Sequence, residues 1–131
     1  MLEPADLPGL RKRSFELPYR GGMIWIEHLD GLHDQSGLAL QKLETDALTF
    51  LRPSVSALLC FVLDETEVSD ELLAAMLQHL TAGGKHFLKV CFVGLNRHMA
   101  KALQRGLRAS GIQLAFFGDL EKAKEWLIPD R

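Results

Sequence analysis

Asp64, Glu65, Glu67, Asp70 and Glu71 crowd one short stretch of the chain, with Thr66, Val68 and Ser69 between them and Leu72 just beyond. Two chemistries suit such a segment. Converging carboxylates can gather a hard cation such as Mg²⁺ through oxygen ligands, and a serine at a helix start can cap the helix or accept a phosphate of about −1.5 to −2 charge. The cation reading needs companions elsewhere. A receiver-like site would want an acidic pair after the first parallel strand, Asp64 as phosphoacceptor and a lysine after the last strand. The chain offers Glu27-His28-Leu29-Asp30 and Phe117-Gly118-Asp119 at those places. The positive end of a helix accounts better for the acids, because it favours carboxylates in its first turn. Ser69 is the phosphorylation candidate, and its plain role is the N-cap ahead of Leu72, the first buried position.

Arg97, Lys101, Arg105 and Arg108 recur at spacings of four, four and three, which aligns them along one side of a helix, with His98 close by. A solvated face is the ordinary account of such a stripe. The alternative is an anionic partner: an acidic protein, a phospholipid headgroup or RNA. A net charge of −2 and the lack of interleaved aromatic residues make nucleic acid the poorest of these. The histidines at 28, 33, 79, 86 and 98 show no recognised metal spacing, and only His28 and His33, beside Asp30 and Asp34, suggest even a weak zinc site. There is no Gly-x-Ser-x-Gly elbow, P-loop or Gly-x-Gly-x-x-Gly. No catalytic residue, metal or cofactor is expected. Cys60 and Cys91 each lie inside an apolar run, where a thiol behaves as a small hydrophobe. Their spacing leaves a disulfide open, but two cysteines make no disulfide framework.

These residues need elements to position them. At 131 residues the chain is read as one domain, residues 14–131, after a flexible lead-in over 1–13 that holds Pro4, Pro8, Gly9 and Arg11-Lys12-Arg13. A hairpin is expected over 14–28, with Pro18 suited to an edge strand and Arg20-Gly21-Gly22 as the turn. A helix should start near Asp34 or Ser36 and run to Leu51, ahead of Pro53. The apolar run 57–63 reads as a central strand covered on both faces, and a helix over about 70–82 follows, stopped by Gly83-Gly84. Then come a strand over 87–93, a helix over about 97–109 capped by Asn96, a strand over 112–117, and a short helix from Asp119 to Trp126-Leu127. Steady alternation after the hairpin predicts an α/β fold with a single mixed, mostly parallel sheet of about five strands.

This order of elements resembles the STAS family, the sulphate-transporter and anti-sigma-factor-antagonist domain, over roughly residues 14–128. The likeness is carried by the strand ending at Leu63-Asp64, the helix opening near Ser69, Lys89-Val90-Cys91-Phe92-Val93-Gly94, and Phe117-Gly118-Asp119-Leu120-Glu121-Lys122-Ala123-Lys124-Glu125-Trp126-Leu127. The last segment is similar to the SpoIIAA-like branch. The resemblance implies a bacterial, non-enzymatic regulatory module that docks its second helix and adjoining loops on a protein partner, with a serine at that helix start phosphorylated in regulated members. The matching segment here, Val68-Ser69-Asp70-Glu71, lacks the glycine of the family motif. The expected contact surface is Asp64, Thr66, Val68, Ser69, Asp70 and Leu72, joined by Asn96, Arg97 and Lys101. A small carrier of an anionic or lipid-like ligand, with the SEC14-like layout to which that branch is akin, is the competing reading. The start of the chain has no signal-peptide pattern and no apolar run is long enough to span a bilayer, so a cytoplasmic setting is expected. The oligomeric state is not legible from the sequence.

Overall fold

The computed structural model describes residues 13–130, so the expected lead-in, apart from Arg13, lies outside the described residues. Strands β1 (Phe15–Tyr19) and β2 (Gly22–His28) form the hairpin, and helix α1 (Ser36–Phe50) leads to β3 (Leu58–Val62). Helix α2 (Asp70–Ala82), β4 (Lys89–Val93), α3 (Arg97–Gly106), β5 (Gln113–Phe117) and α4 (Leu120–Leu127) complete the chain. The sheet order is β1-β2-β3-β4-β5, with β1 antiparallel to β2 and every later pairing parallel. The fold is therefore α/β, with one mixed, mostly parallel five-stranded sheet. The hairpin turn is tighter than expected: Gly22 already pairs with Tyr19, and the two loop residues Arg20 and Gly21 both take positive φ, the geometry that suits the twist of a two-residue hairpin.

Strands that follow one another as neighbours, joined by crossovers of one hand, place all their helices on one face. The packing follows that rule. Residues of α1, α2 and α3 share a core with Trp25, Leu59, Phe61, Val90 and Phe92. The opposite face, with Ile24, Ile26, Cys60, Val62, Cys91 and Val93, packs with Ala123 and Leu127 of α4. In the three-helix layer, Phe61 stacks on Phe92 with ring centroids 5.1 Å apart, and Phe92 on Phe116 at 5.4 Å. Such ring pairs add roughly 0.5–1.5 kcal/mol beyond the area they bury, and they lock β3, β4 and β5 in register.

Two boundaries differ by more than one residue from those expected. The fourth strand begins at Lys89 because a 3-10 turn, Gly84–His86, precedes it and Phe87 turns into the helix-side core. Helix α3 ends at Gly106, short of 109. Glycine is costly in a helix, and here it also serves packing, since a Cβ at Gly106 would come within 2.6 Å of Leu77.

Candidate functional site

The site is built where the parallel strands end. After β2 and β3 the chain does not break into free loops. The Leu29 amide donates to the Val62 carbonyl at 2.9 Å, Gly31 to Asp64 at 2.8 Å and His33 to Glu65 at 2.8 Å, while Glu67 donates back to His33 at 2.8 Å. Thr66 closes the weave: its hydroxyl donates to the Leu29 carbonyl and accepts from the Leu32 amide. Sheet-like pairing thus runs past the strands into the acidic segment, with His33 and Glu65 held at positive φ. On the other side, Leu63 donates to Val93 and Gly94 to Phe117. Gly94 has φ +82°, and a Cβ there would lie 2.4 Å from Asp64 Oδ1. Only glycine satisfies both demands.

The result is an open depression of about 530 Å³ lined by His33, Leu63, Glu65, Thr66, Glu67 and Gly94. Two helix starts flank it. Ser69 Oγ accepts from the Leu72 amide at 3.1 Å and Asn96 Oδ1 accepts from the Met99 amide at 2.9 Å, so both expected caps are present. Asp64, Asp70, Asn96, Arg97 and Lys101 are exposed. Val68 and Ser69 are half-buried, and Val68 packs against the core. Leu72, expected on the contact surface, is instead fully buried in the helix-side core and is unavailable to a partner. Thr66 is committed to backbone hydrogen bonds and shapes the edge from within. Among the described residues, no group of three His, Cys, Asp or Glu side chains is placed to hold a metal ion. His28 is occupied with Asp30 at 2.9 Å, and among the described residues no helix is long and apolar enough to cross a membrane.

No family model, curated protein or solved structure matches the chain.

One cluster escaped the sequence reading. Glu27 is wholly buried on the helix side of β2, where its Oε1 accepts from Trp25 Nε1 at 2.9 Å. Asp46 on α1 accepts from Lys42 Nζ at 2.9 Å and from Ser14 Oγ at 2.9 Å, and Ser14 Oγ in turn accepts from the His28 amide. Burial pushes the Glu27 carboxyl up to about 9, reinforced by its hydrogen bond to Asp46 and the charge there. Burial works in the same direction on Asp46, but hydrogen bonds from Glu27, Lys42 and Ser14 win and hold it below the usual carboxylate range. Glu27 therefore keeps its proton at neutral pH and gives it to Asp46 as a hydrogen bond. The Glu27 Oε2 atom is buried with no donor of its own, so ionisation would leave a charge there unsatisfied. The network ties α1 and the start of β1 to β2. A signal for it existed in the sequence: Glu27 is in phase with Trp25, on the face that alternation assigns to the core.

Proposed function

We propose that the protein is a regulatory binding module that docks a protein partner through this edge. The observation that supports it is a laced, preorganised surface: Asp64, Glu65 and Glu67 stand on a segment pinned by backbone pairing, followed by exposed Asp70 at the start of α2, with exposed Arg97 and Lys101 on the first turns of α3. A pinned edge loses little conformational entropy on association. Charged groups around it would steer a complementary partner and select against others. The order of elements resembling STAS modules points to the same place, by analogy of layout. Ser69 acts in this reading first as a cap. A phosphate there would have to give up the Leu72 hydrogen bond and face Asp70 and Glu71, although the helix start itself would welcome it.

A carrier of an anionic or lipid-like ligand draws support from the depression, whose volume falls in the range of small-molecule pockets. Its openness and the acids on its rim favour a protein surface over an enclosed anion. The two readings separate in one experiment, in which the protein is purified from its own organism under native conditions. A protein partner retained by the wild type and lost from Asp70→Lys and from Arg97→Glu/Lys101→Glu supports docking. A small molecule released on denaturation, with no protein partner, supports the carrier. Leu72→Glu is unsuitable here, because burying a charge at that position would unfold the domain.

A further inference from the structure

Cys60 and Cys91 are the chain's only cysteines, and the β3–β4 register sets them directly opposite each other. Both are free and fully buried, on the face covered by α4. Neighbouring strands lie about 4.7–4.9 Å apart, inside the Cα separation of roughly 4.4–6.8 Å that a disulfide accepts. Side chains that stand side by side on parallel strands keep nearly that spacing at Cβ, wider than the roughly 3.8 Å of a relaxed disulfide. A bond here would form but be strained, and strained disulfides are the readily reduced ones. The Cys60 thiol is hydrogen-bonded to Cys91, which together with burial pushes its pKa well up and keeps it unreactive while the face is closed.

The closure rests on α4. At eight residues it is shorter than a helix that holds itself in water. It is tied by the Asp119 cap on the Lys122 amide, by the Lys89 ammonium, which donates to the Trp126 carbonyl at 3.0 Å, by Arg20, which donates to the Ile128 carbonyl at 3.2 Å, and by Ala123 and Leu127, buried against the sheet. As one short helix, it opens at lower cost than the whole domain unfolds.

We propose that Cys60 and Cys91 are a reversible thiol switch beneath α4, oxidised by a peroxide when the helix lifts and reset by an external dithiol. The lifted state lets one thiol ionise. Its thiolate attacks the peroxide oxygen, breaking the O–O bond to give a sulfenic acid and releasing the other oxygen as water. The second thiolate then displaces hydroxide from that sulfur, so two thiols and one hydrogen peroxide become one disulfide and two waters. The bond draws β3 and β4 together beneath Ala123 and Leu127, and α4 seats less tightly. This site lies on the opposite face from the three-helix layer and does not depend on the docking edge.

The test is oxidation of the folded protein with hydrogen peroxide, followed by intact mass and peptide mapping. The expected result is loss of two hydrogen masses, a Cys60–Cys91 cross-linked peptide, full reversal by dithiothreitol, and faster amide exchange over 120–127 in the oxidised form. Asp119→Ala, which removes the α4 cap, should raise the oxidation rate about five-fold. Ala39→Gly, a comparable loss in α1 on the other face, should leave the rate unchanged. Thiols that stay free or gain only oxygen would overturn the switch, as would equal acceleration by both variants, which would mean that oxidation requires global unfolding.

Discussion

Glu27 departs far from the ordinary behaviour of its type, and its proton makes stability depend on pH in a defined direction. Its folded value of about 9 lies above the ordinary 4.5, so between those values the folded state holds a proton that the unfolded state has lost. Stability from this group is full below the lower value and falls as pH rises toward the upper one. Glu27→Gln keeps the polar shape without the titration. Chemical denaturation should find it similar to wild type near pH 5 and more stable at pH 8, the gap growing by roughly 1 kcal/mol per pH unit. A gap that stayed constant with pH would sink the assignment. Asp46 works oppositely: held low, it contributes stability above its ordinary range that is lost as acid protonates it. At the edge, Gly94→Ala should cost more than about 1 kcal/mol, because positive φ and the Asp64 side chain both oppose a Cβ. A thermal melt that matched wild type would contradict this close approach. Glu27's facing was legible in the β2 alternation, but Asp46 and Lys42 reach it only through the packing of α1 on β2, a contact no local pattern encodes.

The helices divide between those that hold the fold and those that present charge. Ser69 caps α2 with a measurable hydrogen bond, and Ser69→Ala should cost about 1 kcal/mol in a denaturant titration without shifting the m-value. Arg97→Glu/Lys101→Glu should change stability by less than about 0.5 kcal/mol, since both side chains are exposed. Loss of folding in that pair would mean that α3 is structural and would remove it as a docking element. The five strands and four α-helices of the described residues were legible from periodicity, Gly83-Gly84 and the caps at Ser69, Asn96 and Asp119. The late start of β4 and the early end of α3 were not, because Phe87 and Gly106 answer to neighbours distant in sequence.

In the whole molecule, consecutive strand order puts three helices on one face and α4 on the other, so the sheet has no point where strand order reverses and no crevice of the kind that reversal opens. The parallel strands still deliver their loops and two helix starts to one end. That the acidic turn would stand at this end, where β3 gives way to α2, was readable from the apolar run before it and the Ser69 cap after it. Its rigidity was not, because the pairing of 29–33 with 62–67 joins two segments that each read as turns. The central claim is that a protein partner binds there. The most direct measurement places a photoreactive amino acid at position 70, on the edge, or at position 125, exposed on α4, and irradiates living cells. Docking predicts one discrete cross-linked protein from position 70 and none from position 125. A partner captured equally from both positions, or only from 125, would contradict it.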